Sequence, residues 1–322
     1  MWLYLANVRY ESRADQLSTV PTYAVLFGAG ASHGSGQAIP KAPPLATDLY
    51  EALGRLFPTV WGALPQCFSD LLRRDFEAGM REIGEKNPHA LPPLQRAMAS
   101  FFFGFIPGRN NLYRDLARRI KRNPWPGVLI SLNYERLLEL SLIAEGVRPF
   151  SGSLPDSGSC VELCLPHGCC HIFCESVRGT AAGVAFSGPN VFTRGQVKVI
   201  AEPAEHTKRI REDAFPPVMS YFDPAKLTSS GVNFIEEQRA RYDAIIRGAK
   251  LVAIVGVKVR PHDKHLWEAL SATNADIVYC SGERAGQEFA KWALENRVNK
   301  VTDIFYSYFD ECFDVLCTRL GL

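Results

Sequence analysis

Tyr23-Ala-Val-Leu-Phe27, running straight into Gly28-Ala-Gly-Ala-Ser32, decides the fold class. The first five residues have the length of a short strand, and no polar residue interrupts them. A glycine-rich turn that opens a helix then completes the start of a dinucleotide-binding unit. Glycines at 28 and 30 remove the Cβ atoms that would hold a phosphate away from the backbone, and they permit φ > 0. The N–H groups of such a turn face an anion. A plain tight turn after a strand accounts for the same residues. Gly34, Gly36 and Pro40 keep the next segment out of regular helix, so helix is expected only from about Pro44, with Leu45, Leu49 and Leu53 on one face.

The same alternation recurs downstream. Pro126-Gly-Val-Leu-Ile-Ser131 reads as a buried strand, followed by a helix from Tyr134 to Glu145 that Gly146 terminates. Val161–Leu165 is a third strand, ending at Pro166-His167-Gly168. A helix from about Phe234 to Gly248 precedes Leu251-Val-Ala-Ile-Val255, whose uniform apolarity suits a parallel strand covered on both faces. Gly256 ends that strand, and Asp276–Cys280, Ser281-Gly282 and a helix from Arg284 to Asn296 follow. Strands alternating with helices through short connections predict a doubly wound, Rossmann-like α/β domain with a parallel sheet. Residues 56–123 carry many prolines and no alternating strand pattern, and read as a helical insertion. The core is then residues 21–55 and 124–322 of a single domain spanning 1–322. The stretch 180–230 reads as mostly loop.

Composition narrows the function. The chain has 322 residues and a formal net charge of +2, which gives no reason to expect a nucleic acid or an acidic membrane as partner. No apolar run reaches the ~20 residues that span a bilayer. The first residues, MWLYLANVRYESRADQ, lack a basic leader and a long apolar stretch, so a secretory signal is not expected. Nine cysteines, five of them between Cys160 and Cys174, are an odd count without an export signal, and read as reduced thiols in a cytoplasmic protein.

Four further points carry polar chemistry at predicted strand ends, where open α/β sheets bind ligands. Asn133, in Ser131-Leu-Asn133-Tyr-Glu135, either points its amide into the cleft or caps the following helix. His167 precedes a glycine that lets a ligand or backbone come close; a lone histidine is more often a packed or surface residue than a catalyst, and its interest lies in sharing this sheet edge. Asp263, in Gly256-Val-Lys-Val-Arg-Pro-His-Asp263-Lys-His265, opens a helix and is a ligand contact or a cap. Ser281 is placed to bind a ribose hydroxyl or to cap a helix.

In this order — GAGAS, long helical insertion, SLNYE, HG, buried strand with glycine, D-x-H, strand with SG — the chain resembles the sirtuin superfamily, closest to the sirtuin-like NAD hydrolase domains that act as effectors of bacterial anti-phage defence. The matching points run from about residue 22 to 282. The resemblance implies that Gly28, Ala29, Gly30 and Ser32 cradle the pyrophosphate of NAD. It places Asn133 beside the nicotinamide ribose and makes His167 the catalytic histidine. Gly256 would begin a second phosphate- and ribose-contacting loop, and Ser281 would lie near the adenosine ribose. It also implies an effector that works as a homo-oligomer or beside a partner such as a ring-forming ATPase. The departures are informative. The deacylases of that superfamily carry a zinc ribbon of two CxxC pairs, and no CxxC occurs here, so no metal is expected. Ile39-Pro-Lys-Ala-Pro-Pro44 replaces their acidic-aromatic-arginine stretch, Glu135 stands for their aspartate, and Val257-Lys258 stand where they often have a small hydroxylated residue.

The expected reaction is therefore cleavage of NAD between ribose C1′ and nicotinamide, through an oxocarbenium-like transition state. Asn133 would orient the ribose or the attacking water, and His167 would accept a proton. Water as nucleophile gives ADP-ribose and nicotinamide. An acyl-lysine gives deacylation, and a non-catalytic NAD or ADP-ribose sensor is the alternative from a different class.

Overall fold

The computed structural model of the chain describes residues 21–151, 158–175, 192–220, 230–260 and 263–322. In chain order its strands are β1 (Tyr23–Phe27), β2 (Gly36–Ile39), β3 (Ile106–Asn111), β4 (Gly127–Ser131), β5 (Arg148–Phe150), β6 (Cys160–Cys164), β7 (Ile172–Cys174), β8 (Val197–Val199), β9 (Leu251–Val255), β10 (Asp276–Cys280) and β11 (Thr302–Phe305). Seven of them form one parallel sheet in the order β11-β10-β9-β1-β4-β6-β5. The chain leaves β1 for β4 on one side, and later leaves β9 for β10 on the other. That reversal puts the ligand crevice of a doubly wound sheet at the carboxyl ends of β1 and β9.

The uniform apolarity of the central strands has its cause in the two cores. Alternate residues of a strand point to opposite faces. Val25 and Phe27 of β1 enter one core, and Ala24 and Leu26 enter the other. The second core is closed by Tyr242 and Ile245 of the Val232–Gly248 helix, Trp267 and Leu270 of the Lys264–Ala272 helix, and Phe289 of the Glu283–Asn296 helix. The first core runs without a break from the sheet into Leu53, Trp61, Leu72, Met80, Leu94 and Phe105. The helices between 56 and 123 thus cover one sheet face and extend its core. Full burial of a side chain such as Leu26 is worth roughly 1.5–3 kcal/mol.

Several elements differ from the expectation. β3 lies inside the stretch read as helical and pairs antiparallel with β2. Its sequence, Ile-Pro-Gly-Arg-Asn-Asn, has no alternation to reveal it. The helix after β4 is Leu137–Ala144, shorter than expected, because Asn133 to Arg136 form a loop. Within 180–230, β8 and a Pro203–Glu212 helix are ordered elements. Cys280, at the end of β10, is disulfide-linked to Cys312 of the Phe309–Arg319 helix, so only seven thiols are free, against the nine expected. Folding joins positions 32 residues apart, a spacing that carries no signal. No described helix is long and apolar enough to cross a membrane.

Candidate functional site

Because the sheet is parallel, the residues following β1, β4, β6, β9 and β10 all emerge at one edge. Gly28–Ser32, Asn133, His167, Gly256 and Ser281 therefore share the carboxyl edge of the sheet.

At the crevice, the glycines interlock with each other. Gly30 donates its N–H to the Gly256 carbonyl at 2.9 Å, and Gly28 donates to the Val255 carbonyl at 2.9 Å. A Cβ on Gly256, where φ is +65°, would stand 1.9 Å from the Ala31 nitrogen, and one on Gly28 would stand 2.6 Å from the Gly256 oxygen. Close backbone approach thus requires glycine at both places. It also consumes donors. Ala31 donates to Gly28 at 3.0 Å, whereas the exposed Ala29 makes no backbone N–H bond among the described residues. Of the expected cradle, Ala29 is the residue whose N–H remains to meet an anion.

Ser32 has a different place from the one expected. Its hydroxyl is buried, donates to Glu135 Oε1 at 2.6 Å, and accepts from Asn133 Nδ2 at 2.8 Å and Tyr113 at 2.9 Å. One donor and two lone pairs are all a hydroxyl offers, so Ser32 holds Asn133 and has nothing left for a phosphate. Glu135 in turn accepts the Leu137 N–H. Burial pushes its carboxyl pKa above the usual range, against the opposing hydrogen bonds from Ser32 and Leu137.

Asn133 does not cap a helix, since the helix begins at Leu137. Its amide nitrogen spends both hydrogens on Ser32 Oγ and on the Gly28 carbonyl, at 3.0 Å. The amide oxygen accepts nothing among the described residues, so it is the atom Asn133 can offer a ligand hydroxyl or a water.

His167 is buried, and its Nε2 lies 3.0 Å from Nε2 of His265 in the first turn of the Lys264–Ala272 helix. Its backbone is fixed on both sides: its carbonyl accepts from Ser220 N, and the next residue, Gly168, bridges to Met219 with φ at +73°. A Cβ on Gly168 would stand 2.0 Å from the Val218 oxygen, which explains the His-Gly pair structurally. Tyr134 donates to the Ser220 carbonyl at 2.8 Å, and Arg239 reaches Ser220 Oγ at 3.2 Å. Asp263 is buried at the helix start without capping it through its side chain. Arg260 pairs with Glu77 at 3.1 Å and ties the loop after Gly256 to the helical insertion. Ser281 is half-buried beside the Tyr279 hydroxyl.

His171, four residues beyond His167, belongs to the interior. Its Nδ1 lies 3.1 Å from Cys169 Sγ and its Nε2 lies 2.9 Å from Glu139 Oε2. Burial alone would lower its pKa, but Glu139 and Cys169 outweigh burial and hold it up at about 9. Cys169, Cys170 and His171 each offer a ligand atom within 4.8 Å of the others. This is the one grouping of potential metal ligands among the described residues, and spacing rules built on CxxC do not detect it. The two ring nitrogens of His171 thus face a carboxylate on one side and a thiol on the other.

No protein family model matches the chain, and no curated protein is significantly similar to it.

Proposed function

We propose that the chain is an NAD hydrolase that cleaves the bond between ribose C1′ and nicotinamide, releasing nicotinamide and ADP-ribose. The observation that carries this reading is the state of Asn133: an amide locked by the glycine turn, with its oxygen left for a ligand, on the same sheet edge as His167. A group held this firmly orients a reactant without reorganising, which is where most positional catalysis comes from.

The bond to be broken is already activated, because the departing ring nitrogen is cationic and leaves neutral. Asn133 Oδ1 accepts a hydrogen from the ribose or the attacking water. His167 accepts the proton that the nucleophile loses, a task suited to imidazole near neutral pH. The Ala29 N–H, the loop at Gly256, Asp263 and Ser281 hold the dinucleotide, while Ser32 and Glu135 act behind Asn133. No metal takes part in these steps. A free NAD hydrolase endangers its own cell, so the activity is controlled, through a homo-oligomer or a partner such as a ring-forming ATPase, in a cytoplasmic anti-phage role.

Incubation with NAD tests the reading, using the chain alone and in lysate of cells challenged with phage. Nicotinamide released without an acylated peptide is the expected result. Release only with such a peptide would make the chain a deacylase, and tight NAD binding without release in either setting would make it a sensor.

A further inference from the structure

Two imidazole nitrogens 3.0 Å apart cannot both carry a hydrogen, and cannot both present a lone pair without repulsion. The contact between His167 and His265 therefore holds one proton. The rings stand 5.2 Å apart at 53°, and neither can drift far: His167 is fixed by the Ser220 and Gly168 backbone contacts, and His265 is carried on a helix whose Leu266 and Trp267 are buried in the second core. His167 is buried, whereas His265 is part-exposed and has a way to water.

We propose that His265 is a positioning residue for His167: it fixes the protonation pattern of the His167 ring and relays to solvent the proton that His167 accepts. The inference rests on the NAD-hydrolase reading and assigns the proton route of that same site. In the step, the C1′–N bond breaks and its electron pair stays on the nicotinamide ring, which leaves neutral. A water oxygen forms the new bond to C1′. The proton lost by that water goes to the His167 ring. The proton already on His167 Nε2 moves to His265 Nε2, and His265 then releases a proton to bulk water. One NAD cation and one water become ADP-ribose, nicotinamide and one proton.

Charged and titratable groups gather around this turn from several elements. Asp263 lies on the His265 segment, and Arg239 on the Val232–Gly248 helix reaches Ser220. Glu77 on the Phe76–Lys86 helix pairs with Arg260, and the Tyr134 hydroxyl feels Glu77, Asp263 and Arg239. Their signs partly offset each other, and the His265 ring lies 3.0 Å from His167 Nε2. A shared proton makes the pair titrate in two coupled steps: the first cation is spread over both rings, and the second is opposed by the first.

Histidine-selective ¹⁵N NMR of the full chain, titrated without NAD, tests the shared proton independently of any activity. The chain has seven histidines. His167 and His265 are expected to titrate together in two steps separated by more than about one pH unit, and His167 in His265→Gln to collapse to one step. Two independent single-step titrations in the wild type would overturn the proposal whatever the substrate. The relay is read from nicotinamide release against pH. Partners that orient a histidine are worth roughly 10- to 100-fold, so His265→Ala is expected to lower kcat by that much with little change in KM. Its acid limb should move to lower pH, and His265→Gln should recover part of the loss. Wild-type kcat and an unmoved acid limb in a folded His265→Ala would overturn the relay. Coupled NMR titration in a wild type that never releases nicotinamide would instead sink the NAD reading and leave the shared proton standing.

Discussion

His167 and His171 sit four residues apart, are both buried, and meet opposite kinds of partner. His167 stands at the carboxyl edge of the sheet against another neutral-capable ring, His265. His171 stands in the interior against a carboxylate, Glu139, and a thiol. On the proposed proton route the first pairing leaves a proton free to move. The second traps one, because the carboxylate beside the ring holds the His171 pKa up at about 9 in spite of burial. Both are buried histidines, and what differs between them is the partner each ring meets.

The sharpest break of this comparison is His167→Ala. Loss of a general base costs on the order of 100- to 10,000-fold, so nicotinamide release should fall by that factor while thermal melting changes little. Near-normal release from a folded variant would remove His167 from the chemistry. Asn133→Ala should also stop release, for a different reason. Its nitrogen holds the Gly28 carbonyl and Ser32 Oγ, so the variant should lose about 1–3 kcal/mol of stability. Affinity for ADP-ribose, measured by calorimetry, should fall by a similar amount or less, since the amide oxygen is one contact among several. Unchanged turnover with a lowered melting point would leave Asn133 with a purely structural role.

Glu139→Ala acts on the other member of the comparison. Removing one partner of a buried ion pair costs about 3–5 kcal/mol, so denaturant midpoints should drop strongly while release per folded molecule stays the same. Lost turnover in the folded fraction would mean that the two histidines are coupled. A smaller effect lies in the pH dependence of stability. His171 has a folded pKa near 9, raised above its unfolded value of about 6.5. Its contribution is complete below about 6.5 and disappears as pH rises through 9. His206 is the reverse: burial lowers its pKa to about 4, so its contribution is present above about 6.5 and is lost as pH falls through 4. Denaturation midpoints followed from pH 4 to 10 should show both arms, and Glu139→Ala should flatten the alkaline one alone.

What could be read from the chain follows from the range of the forces involved. β9 and β10 fall where the sequence places them, because a parallel strand covered on both faces must be apolar along its whole length. β3 and β11 escape notice: one is Pro-Gly-Asn-rich and bonds to a partner some seventy residues earlier, the other is a half-exposed edge strand. At the site, position was legible and role was not. Gly28 and Gly256 are visible as turn glycines, yet the reason for both is their mutual approach, 228 residues apart in the chain. Ser32 looks like a phosphate contact until Tyr113 and Glu135, 81 and 103 residues away, take its hydroxyl. His265 stands in plain view in the D-x-H motif, but nothing local says that His167, 98 residues before it, meets its ring.

The most direct test of the central claim is where the oxygen of water enters the product. Turnover of NAD in H₂¹⁸O, followed by mass spectrometry, should put one ¹⁸O into ADP-ribose at C1′ and release nicotinamide without label. Label appearing instead on a phosphate of AMP or nicotinamide mononucleotide would place the cut at the pyrophosphate and contradict it.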